Sequence, residues 1–159
     1  MTQRLDTSKT SPEIFKKMVD VSMAVKHGSV EPAILHLAEI RASQINGCAY
    51  CLDMHIKEAR IGGERELRIH HLPAWRESPL FDARERAALA WTELLTNLPA
   101  EGVPDDAFAA ARAEFSEQEL VDLTFQIMVI NAWNRHSIAF SFVPGSTDKL
   151  YGLDKANLS

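Results

Sequence analysis

From end to end the chain carries the punctuation of α-helices, and no segment alternates apolar and polar residues with the period of a strand. An all-α fold is the class this pattern supports. Ser11-Pro12-Glu13 supplies a capping hydroxyl, a proline suited to the first helical position and an acid for the positive dipole end. That helix is expected to run to about Lys26 and stop at Gly28. A second starts near Glu31-Pro32, carries Ile34, Leu37, Ala38, Ala42 and Ile45 as the stripe of a half-buried helix, and ends at Asn46-Gly47. Cys48 to Arg60 reads as a third, closed by Gly62-Gly63, with the cysteines in its first turn. Residues 64–76 read as one or two short helices before Pro79.

Asp82 caps an amphipathic helix with Ala87, Trp91, Leu94, Leu95 and Leu98 toward the core and Arg84, Glu85 and Glu93 toward water. A shorter helix follows Pro104. Ser116-Glu117-Gln118-Glu119 is a capping box that opens the last long helix, expected to reach about Phe140. Between Leu120 and Trp133 that helix is apolar around its circumference, which predicts burial on all sides, at the centre of the fold, in a subunit contact, or both. Pro144 to Ser159 reads as a loop-rich tail, and residues 1–10 as peripheral. The expectation is a single-domain bundle of about six to eight helices that oligomerises through its apolar helices.

Composition narrows the function classes. With 159 residues, 46% hydrophobic and 25% charged, the chain is long enough for one substantial core and has no disordered or collagen-like profile. A formal net charge of −5 argues against a nonspecific grip on nucleic acid. No apolar stretch approaches the ~18 residues of a membrane span. The polar stretch Met1 to Lys9 has no secretory core, so the cytoplasm is expected, where a close cysteine pair is more often catalytic or metal-binding than structural.

The chemistry concentrates in Ile45-Asn46-Gly47-Cys48-Ala49-Tyr50-Cys51-Leu52-Asp53-Met54-His55. On a helix, positions 48, 51 and 55 share one face, so two sulfurs and an imidazole can meet. A thiolate is the nucleophile, and a thiol with pKa ~8.5 is mostly protonated at neutral pH, so it needs local help. The N–H groups of the first turn and His55 offer it. Cys51, beside His55, is the better nucleophile, and Cys48 can close a disulfide with it, in a cramped but accessible site. The competing readings are a zinc site with Cys48, Cys51 and His55 as ligands and His36, His70, His71 or His136 as the fourth, or a pair of inert core cysteines. His27, His70 and His71 otherwise read as surface or loop residues, Trp75, Trp91 and Trp133 as core or interface, and His136 as structural or pocket-lining.

The run Glu39-Ile40-Arg41-Ala42-Ser43-Gln44 followed by Ile45 to His55 resembles the signature of the alkylhydroperoxidase D-like group of the carboxymuconolactone decarboxylase superfamily. The likeness is strongest over about residues 34–60, and Ile130-Asn131-Ala132-Trp133-Asn134-Arg135 is similar to the group's last long helix. The resemblance implies an all-helical protomer in homotrimers or homohexamers, with the redox site near subunit contacts. It implies that Cys51 forms a sulfenic acid with a hydroperoxide, that Cys48 is proton donor and disulfide partner, and that His55 belongs to a proton relay. The family's relay glutamate, twelve residues before the first cysteine, is His36 here; either His36 transfers the proton, Glu39 one turn on does, or the full relay is missing. Tyr50 stands between the cysteines where the best-known members have histidine.

The expected activity is thiol-dependent hydroperoxide reduction, with an external dithiol or a lipoylated protein as reductant, a peroxiredoxin as possible redox partner, and no bound organic cofactor. The alternatives are a lactone-decarboxylating enzyme of the same fold, a zinc-binding scaffold and a redox sensor without turnover.

Overall fold

A computed structural model describes residues 2–158, and among them the regular structure is entirely helical. Nine α-helices follow in order: α1 (Thr7–Thr10), α2 (Pro12–Lys26), α3 (Pro32–Asn46), α4 (Ala49–Ile61), α5 (Glu66–His71), α6 (Ala83–Thr96), α7 (Asp105–Glu114), α8 (Glu117–Ala139) and α9 (Asp148–Tyr151). Tight 3-10 turns extend α5 over Leu72–Ala74 and follow α9 over Leu153–Ala156. Seven helices exceed a single turn, within the expected number. Met1 and Ser159, at the ends of the two expected tails, lie outside the described residues.

The central element is α3, which packs on α4, α6 and α8. The sequence predicts a half-buried stripe, yet Leu35, Glu39, Ile40 and Ser43 are buried as well as Ile34, Leu37, Ala38 and Ala42, while Ile45 keeps partial exposure. The polar members can be buried because each is paired: Ser43 Oγ accepts from Asn134 Nδ2 at 3.0 Å, and Glu39 Oε1 accepts from Gln126 Nε2 at 2.7 Å. Around α3 the apolar residues form three clusters. One joins Ile34, Leu35 and Ala38 to Trp91, Phe115 and Leu123; a second joins Leu37 and Ile40 to Leu72, Trp75 and Leu89. The third is small and holds Ala42, Cys48, Cys51 and Ile130, with Tyr50 packed against it.

The capping box at Ser116 and Glu119 opens α8 as the sequence predicts, and Asp82 and Glu85 form a second one at α6. The α8 girdle is buried within this chain on one side only, and two other expectations are corrected. In α8, Leu120, Leu123, Ile127 and Ile130 are in the core, whereas Val121, Phe125 and Met128 are exposed, Met128 at 58%. Arg84, Glu85 and Glu93 do not simply face water, because each sits in an ion pair: Glu93 accepts from Arg41 Nε at 2.7 Å and from Trp75 Nε1 at 2.8 Å, Arg84 pairs with Glu31 and Glu119, and Glu85 pairs with Arg68. Leu98 lies beyond the end of α6 and is exposed.

The segment after Pro144 is helical over 148–151 and 153–156, not loop-rich, and it packs on α4 through buried Leu153. Its anchor is Lys57, a nearly buried ammonium 2.7 Å from Asp148 Oδ2 and 2.8 Å from Asp53 Oδ1. The Gly145 N–H closes the clasp by donating to Asp53 Oδ2 at 2.8 Å. At the other end Arg4 reaches the end of α8: its backbone N–H donates to the Phe140 carbonyl and its guanidinium to that of Ala139, both at 2.9 Å.

Candidate active site

Residues 46–48 end one helix and begin the next without a spare residue. Gly47 adopts the left-handed conformation at φ 69°, its N–H donates to the Gln44 carbonyl at 3.3 Å, and the Cys48 N–H donates to that of Ser43 at 3.0 Å, the paired bonds of a Schellman turn. Cys48 is then the N-cap of α4, its Sγ accepting from the Cys51 N–H at 3.2 Å. The cysteines therefore occupy the cap and third positions rather than both lying inside the first turn, and the helix-end N–H that was expected to assist Cys51 serves Cys48 instead. The two sulfurs are joined in a disulfide, with Cα atoms 5.3 Å apart.

Asn46 holds this turn against α8. Its Nδ2 donates to Asn131 Oδ1 at 2.9 Å and to Asn134 Oδ1 at 2.8 Å, and Asn131 in turn donates to Thr96 Oγ1 at 3.1 Å. The Ile130–Arg135 stretch noted in the sequence thus has a physical task. Its asparagines brace the cysteine turn.

The expected accessible position is also corrected. Cys48 and Cys51 are 1% and 2% exposed, beneath Tyr50. The Tyr50 hydroxyl is 2.9 Å from Thr147 Oγ1 and its ring meets Phe142 edge-on at 5.3 Å, so the C-terminal segment holds the cover over the sulfurs.

One turn along α4 from Cys51, His55 is buried with its Nδ1 2.7 Å from Glu58 Oε2 and 3.2 Å from Glu39 Oε2. Burial pushes this imidazole down, but the Glu39 carboxylate and then Glu58 override it and raise it to about 9, so it is an imidazolium at neutral pH. Burial likewise works against ionised Glu39, and His55, His36 and Lys26 outweigh it, holding the carboxyl well below its ordinary range. Glu58 is lowered in the same way, its burial opposed by the hydrogen bond from His55. The Lys26 ammonium, from α2, closes the group at 2.7 Å from Glu58 Oε1.

His36 and Glu39, the two residues read for the relay, occupy different places in the site. Glu39 is the buried member that reaches His55, and His36 stands at the edge, 19% exposed, with Nδ1 3.3 Å from Glu39 Oε2. Sequence reasoning missed Glu58, Lys26 and Gln126. Glu58 had a signal: His36-x-x-Glu39 on α3 and His55-x-x-Glu58 on α4 repeat one i, i+3 spacing on neighbouring helices. Lys26 and Gln126 come from α2 and α8, and nothing local in the chain marks them.

The zinc arrangement built on Cys48, Cys51 and His55 is not assembled. The sulfurs bind each other, His70 is exposed, His71 Nδ1 is 3.0 Å from Ser78 Oγ, and His136 is packed among Phe15, Trp133, Phe140 and Phe142. Among the described residues, the ligand atoms close enough to share an ion belong to His36, Glu39 and Glu58.

Fold and site together define an all-helical protein with a buried CxxC disulfide at the start of one helix and a charged histidine–carboxylate group one turn behind it. Residues 12–94 match the carboxymuconolactone decarboxylase family, and the chain belongs to it. It is 42% identical over 139 residues to the uncharacterized protein YdfG of Bacillus subtilis, covering 87% of this chain and 95% of that one. Among solved structures, a protein of unknown function from Agrobacterium tumefaciens, proposed to be an AhpD antioxidant defence protein, superposes with a TM-score of 0.86 at 42% identity, covering 90% of this chain and 98% of that chain. An uncharacterized peroxidase-related protein from Ralstonia eutropha, with an alkylhydroperoxidase AhpD core, shares the fold at a TM-score of 0.78 and 19% identity, over 88% of this chain and 75% of its own. No helix among the described residues is long and apolar enough to cross a membrane.

Proposed function

We propose that this protein is a dithiol oxidoreductase that reduces hydroperoxides through Cys51 and Cys48. The observation that carries the reading is the Cys48–Cys51 disulfide at the head of α4 with the His55 imidazolium a turn behind Cys51, braced by two carboxylates. In the reduced protein the Cys51 thiolate attacks the terminal oxygen of the hydroperoxide. The O–O bond breaks, Cys51 becomes a sulfenic acid, and the departing alkoxide takes a proton to leave as an alcohol.

His55 Nδ1 is committed to the carboxylates, so Nε2 is the nitrogen free for the reaction. As an imidazolium it stabilises the thiolate by its charge and can supply the proton, with Glu39 and Glu58 fixing the ring. Cys48, whose sulfur accepts the Cys51 N–H, is favoured as a thiolate by the same bond. It attacks the sulfenic sulfur, the disulfide forms and the oxygen leaves as water. An external dithiol, free or lipoyl-bound on a protein, then restores both thiols by exchange and is itself oxidised; a peroxiredoxin is a further partner for the electrons. Tyr50 must swing from Thr147 to admit either reactant.

The exposed Val121, Phe125 and Met128 face of α8 is the contact through which copies of the chain assemble, as a trimer or hexamer. The chemical test is mass spectrometry of reduced protein after peroxide addition with a sulfenic-acid trap. Wild type loses two hydrogens, and Cys48→Ser carries the trapped adduct on Cys51. An unreactive Cys51 in that variant overturns the reading.

A further inference from the structure

The paired His-x-x-Glu spacings bring four ionisable side chains from two adjacent helices to one corner, and the proton relay uses only part of what they offer. We propose that His36, Glu39 and Glu58 form a binding site for a divalent zinc-class ion, with His55 as the group that orients its carboxylates.

The ligand atoms of the three residues lie within 4.8 Å of one another. His36 Nδ1 is 3.3 Å from Glu39 Oε2, and His55 Nδ1 is 3.2 Å from the same oxygen. Both are long for charge-assisted hydrogen bonds, which run to roughly 2.7–2.9 Å. The His36–Glu39 separation, between two of the ligands, matches the edge of a coordination tetrahedron, ~3.3 Å when metal–ligand bonds are about 2.0–2.1 Å. The imidazole–carboxylate donor set suits zinc, and three protein ligands with one position left open is the arrangement of a zinc ion that binds a further small ligand.

Both carboxylate ligands are also held from behind. Glu39 is buried and its second oxygen accepts from Gln126 Nε2 at 2.7 Å, while Glu58 Oε1 is taken by Lys26, so each carboxylate presents its Oε2. His55 Nδ1, 2.7 Å from Glu58 Oε2, fixes that carboxylate's direction, the outer support that metal-binding carboxylates require. Entry is from the side of His36 and Glu58, the partly exposed members of the set.

The inference does not rest on the peroxidase reading, and its test uses the disulfide form, in which neither sulfur is a free thiolate. Zn2+ is titrated calorimetrically into the oxidised, chelator-stripped protein, with Co2+ absorption as a second probe of ligand number. One Zn2+ per chain is expected, and His36→Ala and Glu58→Gln each weaken binding at least tenfold, while His70→Ala, at an exposed histidine, leaves it unchanged. Zn2+ also raises the melting temperature of the oxidised wild type and not that of His36→Ala, a position at the edge of the cluster whose truncation spares the core. The absence of saturable binding by the oxidised protein, wild-type affinity in either ligand variant, or binding that needs reduced cysteines overturns the site. None of these results bears on sulfenic-acid trapping at Cys51, so the two proposals fail separately.

Discussion

Replacing Gly47 by alanine tests whether the turn joining α3 and α4 is set by backbone conformation alone. At φ 69° Gly47 is in the left-handed region, and a β-carbon built there meets nothing within 4 Å. The substitution therefore carries no steric collision, and its cost is the left-handed backbone itself, about 1–2 kcal/mol for a residue with a side chain. A positive φ makes the position incompatible with alanine, so stiffening of the unfolded chain does not offset this. A net loss of about 1–2 kcal/mol follows, equivalent to ~2–8 °C in melting temperature at this chain length. Gly47→Asn should lose less, because asparagine tolerates this region. Gly63, at φ 90° with nothing within 4 Å, is the internal control: Gly63→Ala should lose a similar amount. Urea titrations followed by circular dichroism give the three values. Only the Gly47 substitution shifts the cap that carries Cys48, so peroxide consumption should fall in Gly47→Ala and hold in Gly63→Ala. A neutral Gly47→Ala, or one costing more than about 3 kcal/mol, refutes the reasoning, since the first means the turn does not need this conformation and the second means that more than one backbone well is at stake.

Four further outcomes follow from the packing. Lys57→Ala leaves Asp53 and Asp148 without their shared cation and should cost about 1–3 kcal/mol, with faster tryptic cleavage at Lys149 as the 148–156 segment loosens from α4. Tyr50→Ala removes the cover held by Thr147 and should speed disulfide reduction by dithiothreitol, read by thiol titration; an unchanged rate rules out Tyr50 as the gate. Asp122 accepts from the Ser29 N–H at 2.8 Å and hydroxyl at 2.7 Å, the former bond first in holding its carboxyl below the ordinary value. Its contribution is present above the unfolded pKa of about 3.9 and lost as pH falls through the lower folded value, so Asp122→Asn should be less stable than wild type at pH 7 and converge with it in acid melts. Phe125→Asp, on the exposed face of α8, should lower the mass measured by light scattering after size exclusion, and an unchanged mass places the subunit contact elsewhere.

Much of the fold was legible because helix ends are written locally. Pro12, Pro32, Gly47, Asp82 and Ser116 each act within a turn of their own position, and the helices begin or end where these residues say. The buried faces were less legible, since burial is set by what lies across the contact. Glu39 and Ser43 read as polar breaks in a stripe until Gln126 and Asn134 are seen to pair with them from a helix more than eighty residues away. Glu93 failed as a water-facing residue for the same reason, Arg41 and Trp75 arriving from other elements. In the site, the nearness of Cys48 to Cys51 followed from their spacing, but Cys48's place as N-cap, and the capping bond to its sulfur, depend on where the helix begins to within one residue. The covering of both sulfurs by Tyr50 depends on Phe142 and Thr147, from a segment whose sequence carries no strong helical signal.

The asparagine contacts of α8 have a mechanical consequence. Asn131 and Asn134 stand on the same uninterrupted rod as Phe125 and Met128, about two and a half turns or less along its axis. One residue of axial slip moves a helix by about 1.5 Å, more than hydrogen bonds of 2.8–2.9 Å tolerate, so Asn46 sets the register of the whole rod. Any axial shift of α8 would therefore have to break the Asn46 bonds that hold the cysteine turn.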